Sequence, residues 1–552
     1  MKLATLIATF AVTGTSWAAA PLKWTDASAH IPQEGAVKCE LRADTTLSAW
    51  RGQRVGLQAL LTPDATINGK TLRPRIRTSA KGIDPQARFM RYTLTTDFRA
   101  CGDAPDLKPW SVNDIIDIDT ALTVESGRNY PLWVTVEVAR NASVGADALA
   151  LELVDEATGK VVTEIPAVIK VQDKTLPEPT SPDYFHLNLW QQPYAISRYY
   201  NVEPWSKKHL ALLEPYAQML SRAGQKTITA IMFYEPWGVQ SNDKFAPMIE
   251  TVKTKDGKWK YDYTIFDRYV EFMDRNGVGP IIECFSMIPW EMNFRYFDEA
   301  TGEYKFVHTT TDTPEYVDLW GNFLSSFQKH LDKKGWTDRT VMAMDERGLE
   351  DIQRAIGIVD KYAPKLKVSL AGNYHKPLVD KLYTYSITQG EPWPADALKS
   401  RHEKGLATTY YTCCSSAAPN LFSNSEPADA AYLPAYCIAT GTDGYLHWSF
   451  QNWTDAPLAD TRFKLFAPGD TYFIYPDGRT SIRYERMVEG IELAEKIKAL
   501  RALVAAKGDM QLMERFNAAL LPLQMGVTNH NVTTADIVEN LQNEISAISE
   551  LL

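Results

Sequence analysis

Between residues 24 and 171, short runs of alternating apolar and polar positions are separated by turn residues. The clearest runs are residues 36–41, 55–60, 132–138 and 161–171. A period of two is typical of strands that bury one face, and such closely spaced runs favour an antiparallel sandwich. We therefore predict that residues 21–175 form an all-β sandwich domain.

The sandwich pattern ends in a proline-rich segment, residues 175–182, which contains Pro177, Pro179 and Pro182. Proline has no backbone N–H and a fixed φ, so such a segment continues neither a strand ladder nor a helix. We place the boundary between the first two domains there.

After residue 183 the pattern changes to apolar runs that alternate with helical stretches. The predicted strands are residues 184–190, 226–234, 278–287, 340–344, 366–372, 382–388, 406–413 and 444–450. Eight strand-then-helix units predict a closed (β/α)8 TIM-type barrel over residues 183–504, and an open doubly wound sheet is the alternative. No glycine-rich nucleotide motif supports that alternative.

The end of the chain predicts helices only. From residue 482 onward, residues 489–504 and 534–551 carry apolar side chains at helical spacing. We expect a helical C-terminal extension over residues 505–552, packed on the barrel and without chemistry of its own.

Residues 1–20 combine Lys2, a short apolar centre and an Ala18-Ala19-Ala20 end, the features of a cleavable signal peptide. A buried N-terminal helix is the alternative. No later run reaches the roughly 18 apolar residues of a membrane span. We expect an exported protein, periplasmic or extracellular, with no membrane span.

The composition narrows the class of ligand. The formal net charge is −10 and no basic run occurs, which excludes nucleic acid and anionic membranes as favoured partners. The chain also holds 15 Trp and 26 Tyr. Their rings suit both large cores and carbohydrate-binding clefts. A neutral glycan is therefore a partner that fits the acidic net charge and the high aromatic content.

The six cysteines lack the spacing of a metal site, and we predict neither a metal nor an organic cofactor. In an oxidising compartment we expect a Cys39–Cys101 disulfide, and a second one that joins Cys437 to Cys413 or Cys414. Cys284 lies in an apolar run and is expected to be a buried thiol.

In an α/β barrel the active site lies at the carboxyl ends of the strands. Acids and amides at these ends can bind hydroxyl groups, and aromatic rings can stack on a sugar, although core packing is an alternative for each ring. The predicted substrate-binding residues are Asn188, Trp190, Tyr234, Glu235, Trp237, Glu283, Asn373, His375, Tyr410, Tyr411, Trp448, Asn452 and Trp453.

The fourth strand ends in two adjacent acids, Asp345 and Glu346. Burial and like charge tend to raise the pKa of one of them, which leaves a proton for general acid catalysis, whereas helix capping is the alternative role. A conventional retaining glycosidase separates its carboxyls by about 5 to 5.5 Å across the bond, usually from different strands. Adjacent acids instead suit a reaction in which the substrate's 2-acetamido oxygen attacks the anomeric carbon.

Several segments resemble glycoside hydrolase family 123. Besides the Asp345–Glu346 pair, they are residues 444–450, 469–476 and 481–486 near the end of the barrel, and residues 49–58 and 131–136 in the sandwich. The resemblance implies a β-N-acetylgalactosaminidase with a sandwich before the barrel. It implies that Glu346 is the acid/base, that Asp345 polarises the acetamido group, and that Tyr410 or Tyr411 bonds the acetamido carbonyl.

We therefore expect a glycosidase that releases terminal β-linked N-acetylgalactosamine from a glycan or glycoconjugate, with retention. One alternative is a conventional two-carboxylate glycosidase acting on another sugar, in which Glu235 or Glu283 partners Glu346. A second alternative is a catalytically inactive carbohydrate-binding protein. The sequence leaves the oligomeric state open.

Overall fold

The computed structural model describes residues 20–526 and 532–552. The predicted signal peptide, apart from residue 20, lies outside these residues. Across the two described ranges, every helix is too short or too polar to cross a bilayer.

The N-terminal domain is a β-sandwich, as predicted. Its strands are β1 (Leu22–Thr25), β2 (Leu41–Arg42), β3 (Thr46–Arg51), β4 (Arg54–Leu61), β5 (Thr71–Thr78), β6 (Ile83–Thr95), β7 (Trp110–Ile116), β8 (Leu122–Thr123), β9 (Tyr130–Val138), β10 (Gly145–Asp155) and β11 (Val161–Thr175). One sheet has the order β2-β1-β4-β9-β6-β7 and the other β3-β11-β10-β5-β8. Their inward-facing Val, Leu and Ile side chains form one core between the sheets.

The strand predicted at residues 36–41 is wrong except at its end, where Leu41 begins the two-residue strand β2. Residues 36–40 do alternate in exposure, but none of them is buried. Without a second layer to cover one face, the alternating pattern alone does not produce a strand.

The second domain is a nearly closed parallel barrel, as predicted. The remaining strands are β12 (His186–Leu189), β13 (Thr227–Ile231), β14 (Glu250–Lys253), β15 (Trp259–Asp262), β16 (Ile281–Phe285), β17 (Asn293–Asp298), β18 (Glu303–His308), β19 (Thr340–Asp345), β20 (Lys367–Ala371), β21 (Thr384–Thr388), β22 (Ala407–Thr412), β23 (Gly444–His447) and β24 (Thr480–Ser481). The barrel order is β12-β23-β22-β21-β20-β19-β16-β13, and the bridge between Leu187 and Gln225 connects its two ends. The aromatic-rich insertions after β13 and β16 form a separate sheet, β15-β14-β17-β18.

Helices cover the outside of the barrel and form the tail. They are α1 (Pro193–Tyr199), α2 (Lys207–Arg222), α3 (Thr264–Arg275), α4 (Pro314–Lys334), α5 (Leu349–Tyr362), α6 (Ala395–Glu403), α7 (Ala428–Ala439), α8 (Ile482–Lys507), α9 (Met510–Met525) and α10 (Thr534–Leu551). Helix α4 shows why the boundaries fall where they do: the Thr313 hydroxyl accepts the Tyr316 N–H, and Gly335 ends the helix at φ 70°. The predicted boundary at residues 504/505 falls inside α8.

The sandwich and the barrel share several buried contacts. Strand β24 pairs with β7, which extends the first sandwich sheet, and the Arg483 guanidinium contacts the Asp114 carboxylate at 2.6 Å. Both of these side chains are buried, so the ion pair fixes the start of α8 against the sandwich.

The disulfide prediction is wrong. Cys101 bonds to Cys414, 313 residues away, with a Cα–Cα distance of 5.0 Å. Cys39, Cys413 and Cys437 are free thiols, and Cys284 is a buried thiol as expected. The pairing depends on the packing of a sandwich loop on the barrel, which spacing along the chain does not encode.

Candidate active site

Asp345 and Glu346 lie at the carboxyl end of the barrel, where β19 ends. Residues 340–344 are buried, Asp345 is half-buried and Glu346 is exposed. The Glu346 N–H donates to the Ala371 carbonyl at 2.8 Å, so the backbone continues beside β20 just past the last strand residue. Both acids are therefore held by the barrel itself and not by a loose loop.

Asp345 lies beneath Trp290 from the loop after β16. The indole N–H donates to Asp345 Oδ2 at 3.4 Å, and the Arg347 guanidinium lies 3.9 Å from the centre of the Trp290 ring. Burial, and after it the charge of Glu346, raises the pKa of Asp345 to about 7. At neutral pH the pair of acids thus retains a proton in part of the molecules.

Glu346 is bound by a tyrosine from the neighbouring wall of the barrel. The Tyr411 hydroxyl donates to Glu346 Oε1 at 2.7 Å. Burial and the nearby charge of Glu346 raise the pKa of Tyr411 far above its ordinary value, so the hydroxyl keeps its proton. Tyr411 thereby fixes the orientation of the Glu346 carboxyl.

Tyr410, the other tyrosine considered from the sequence, points to the opposite face of β22. Its hydroxyl accepts the Trp393 backbone N–H at 3.2 Å, and its ring packs 5.4 Å from that of Tyr436 on α7. Alternation along the strand places Tyr411 at the acids and Tyr410 against the helical layer.

Glu283 and Asn188 meet inside the barrel, in a network separate from the two acids. The Asn188 amide donates to Glu283 Oε2 at 2.8 Å, and the Ser369 hydroxyl donates to Oε1 at 3.0 Å. Burial raises the pKa of Glu283 to about 7. Both carboxyl oxygens already have partners, so this acid is held in place by neutral groups.

Trp190 and Trp237 form a stacked pair, with ring centres 5.3 Å apart and planes at 22°. Both are buried, and Phe285 packs against each of them. Beside them, Glu235 adopts a left-handed backbone with φ 51°, and burial raises its pKa to about 7. Within the described residues, its Oε1 atom is buried without a hydrogen-bond partner.

Tyr234 faces the inserted sheet. The Arg295 guanidinium lies 5.0 Å from the centre of its ring, and Phe306 packs against the ring edge-on at 6.0 Å. Tyr234 is half-buried between the barrel and this insertion.

Trp448 borders the site after β23. Its indole N–H donates at 2.9 Å to Asp470 Oδ2, and burial raises the pKa of that carboxyl to about 7. The sequence reasoning did not single out Asp470 as a site residue, although it lies in the segment 469–476 that carried the family resemblance. The resemblance of that segment to the family is the sequence feature that points to Asp470.

The side chains of two further predicted residues, Asn452 and Trp453, have structural partners. The Asn452 amide bonds the Asn242 N–H and the Gln240 carbonyl, and the Trp453 indole donates to the Ile474 carbonyl at 2.9 Å. Trp453 has no exposed surface, which does not fit a pocket wall.

Asn373 and His375 flank a turn after β20. The Tyr385 hydroxyl donates to the Asn373 carbonyl and accepts the His375 backbone N–H, both at 2.6 Å. These contacts are made by backbone atoms, and they fix the turn whatever the two side chains do. Residues 20–526 and 532–552 contain no cluster of three or more metal-ligating side chains.

A parallel barrel with paired acids, a tyrosine donor and aromatic rings at one rim suits an enzyme that cleaves carbohydrates. The family model for the glycoside hydrolase 123 catalytic domain matches residues 190–500, and the model for the glycoside hydrolase 123 N-terminal domain matches residues 24–153. The chain belongs to glycoside hydrolase family 123 and is a glycosidase by family.

A solved family 123 glycoside hydrolase from Clostridium perfringens, described in a study of glycolipid glycan hydrolysis, superposes with a TM-score of 0.83. It is 22% identical, and the match covers 96% of this chain and 98% of that one. A second match is a family 39 glycoside hydrolase from Bacteroides cellulosilyticus, which is 11% identical and has a TM-score of 0.34. This match covers 81% of each chain. No curated protein matches the sequence.

Proposed function

We propose that this enzyme releases terminal β-linked N-acetylgalactosamine by substrate-assisted catalysis with retention. The supporting observation is the pair of adjacent acids at the end of β19, in which burial and the charge of Glu346 raise the pKa of Asp345 to about 7. Two neighbouring carboxyls act on the same side of a sugar, one at the acetamido group and one at the leaving oxygen. The choice of N-acetylgalactosamine rests on the sequence segments shared with the family.

In the first step, the acetamido carbonyl oxygen forms a bond to the anomeric carbon, and the bond to the leaving oxygen breaks. The acetamido N–H donates a hydrogen bond to Asp345, which favours the carboxylate form of Asp345 and leaves the proton of the coupled pair on Glu346. Glu346 gives this proton to the leaving oxygen, while the Asp345 carboxylate stabilises the growing positive charge of the acetamido group. In the second step, Glu346 takes a proton from water, the water oxygen forms a bond to the anomeric carbon, and the bond from that carbon to the acetamido oxygen breaks. Two displacements at one carbon retain its configuration.

We also propose that the enzyme acts outside the cytoplasm. The signal-like residues 1–20 and the Cys101–Cys414 disulfide support this location, because disulfides persist in oxidising compartments.

The test is a panel of aryl β-glycosides of N-acetylgalactosamine, N-acetylglucosamine and galactose. We expect turnover of the N-acetylgalactosamine glycoside and competitive inhibition by a thiazoline of the same configuration, which mimics the cyclic intermediate. Turnover of the 2-hydroxy sugar alone, with no thiazoline inhibition, would exclude the mechanism.

Among the residues that the structure describes, Glu235 Oε1 is buried without a hydrogen-bond partner, and this favours a second candidate, a conventional glycosidase with Glu235 as nucleophile and Glu346 as acid/base. Azide should then restore turnover to Glu235→Ala by replacing the missing carboxylate. If Glu235→Ala loses activity that azide does not restore, or retains it, this candidate is wrong.

A further inference from the structure

A segment of the sandwich, residues 94–107, reaches the rim of the barrel. The Leu94 N–H donates to the Ala459 carbonyl at 2.9 Å, and the Gly102 N–H donates to the Leu465 carbonyl at 2.8 Å. The Cys101–Cys414 disulfide adds a covalent link to the same rim. The segment therefore packs along the rim of the barrel and is bound to it at Leu94 and at residues 101 and 102.

The point of attachment is close to the candidate acids. The Tyr411 hydroxyl binds Glu346, and Cys414 lies three residues after Tyr411 in the chain. Cys413 lies between them. Burial raises the pKa of the Cys413 thiol, with further contributions from the charges of Asp470 and Glu346. The disulfide is thus anchored on the Glu346 side of the acid pair.

Aromatic packing continues the same wall. The Phe466 ring packs edge-on against Trp448 at 5.1 Å, and Trp448 in turn donates to Asp470. Phe466 lines both this wall and a cavity of about 410 Å³ between the sandwich segment and the barrel loop 460–468. That volume falls within the range of small-molecule sites, roughly 300 to 1,000 Å³.

The cavity lining combines apolar rings with charged groups, as carbohydrate sites do. Phe98, Phe463 and Phe466 supply the apolar part. Arg462 lies in the lining with Asp460, which it contacts at 2.6 Å, and the charge of Asp106 acts on the same guanidinium. The guanidinium and the two carboxylates offer both donors and acceptors to sugar hydroxyls.

We propose that this cavity is a subsite for the leaving part of the glycan, the sugars beyond the one that is released. The inference rests on the proposed role of Glu346. An acid that protonates the leaving oxygen faces the leaving sugars, and the cavity lies on the Glu346 side of the acid pair. The sandwich domain then takes part in substrate selection through residues 94–107.

The experiment compares substrates of increasing length in the full chain. One is 4-nitrophenyl β-N-acetylgalactosaminide, and the others join β-N-acetylgalactosamine to galactose and to lactose. We expect kcat/KM to rise with length in the wild type. In Phe98→Ala and Arg462→Ala, the ratio of kcat/KM for the trisaccharide to that for the aryl glycoside should fall about 5- to 30-fold, the factor for 1 to 2 kcal/mol of lost contact.

Leu41→Ala is the matched control, because Leu41 is an exposed apolar side chain on β2, the far edge strand of the same sheet. Its ratio should equal that of the wild type. An unchanged ratio in both test variants, or an equal loss on both substrates, would overturn the subsite. If the wild type hydrolyses only another sugar of the panel, the proposed function is wrong. The subsite is then tested by the ratio of kcat/KM for a trisaccharide that ends in that sugar to kcat/KM for its aryl glycoside.

Discussion

The barrel contains two acidic sites. Burial raises a carboxyl pKa to a similar value in both, but the groups around the two carboxyls differ. At the rim, the pKa of Asp345 rises to about 7 beside a second acid, and Glu346 is exposed. Inside the barrel, burial raises the pKa of Glu283 to about 7 as well, but Asn188 and Ser369 occupy both of its oxygens. A raised pKa alone does not distinguish them.

The difference lies in access and in the neighbouring charge. The rim pair can exchange a proton with a substrate, because Glu346 reaches solvent and accepts one hydrogen bond from the Tyr411 hydroxyl. The interior acid is 3% exposed, and its two oxygens bind Asn188 and Ser369, so its carboxyl group links three strands of the barrel. We therefore expect substitutions at the rim to change catalysis and substitutions in the interior to change stability.

The largest effect is expected for Glu346→Gln. Loss of the general acid should lower kcat/KM about 10²- to 10⁴-fold with an unchanged Tm. The loss should be smaller for a dinitrophenyl glycoside, whose leaving group needs little protonation. Glu350→Gln, which removes an exposed acid at the start of α5, is the control and should behave as wild type. Equal losses on both leaving groups would contradict the acid role.

Asp345→Asn should lower kcat/KM about 10²-fold, since one charged group that stabilises the transition state is typically worth that much. The wild-type rate should fall as pH rises through about 7, because the acid pair, in which the pKa of Asp345 is about 7, loses its last shared proton there. That limb should move to lower pH in the variant, because Glu346 no longer shares a proton with a second carboxyl. A limb that persists unchanged would assign it to another group.

Tyr411→Phe removes the hydroxyl that orients Glu346 and leaves the ring in place. We expect a loss of about tenfold in kcat, the effect of one hydrogen bond of roughly 1.4 kcal/mol, with little change in KM. Tyr410→Phe is the matched control on the other face of β22. If the two variants lose activity equally, the Tyr411–Glu346 contact has no role in catalysis.

The smallest effect on activity, less than about threefold, is expected for Glu283→Gln, which resembles the protonated acid. Because the folded pKa of about 7 exceeds the ordinary 4.5, the Glu283 contribution to stability is largest in acid and is lost as pH rises from 4.5 to 7. The Tm of the variant relative to wild type should therefore increase between pH 5 and pH 8. A constant difference would show that Glu283 is not buried as a neutral acid.

The sequence could predict the elements whose local signal is strong. The strand at 340–344 with its terminal acids agrees with β19, because a fully apolar run is a local property of the sequence. Tyr410 and Tyr411 could not be separated without the strand's orientation. Trp453 could not be assigned to the interior without the rings of Tyr199 and Tyr216 that cover it.

By itself the sequence determined the order of sandwich, barrel and helical tail, and it placed two acids at a strand end, because periodicity and strand-end position are encoded locally. Only the tertiary structure decided which tyrosine binds Glu346, that Glu283 is enclosed by neutral donors, and that Cys101 bonds to Cys414. Each of these depends on segments far apart in the chain. The first two sets of contacts form only when the barrel strands assemble, and the disulfide, which spans 313 residues, forms only when the sandwich packs on the barrel.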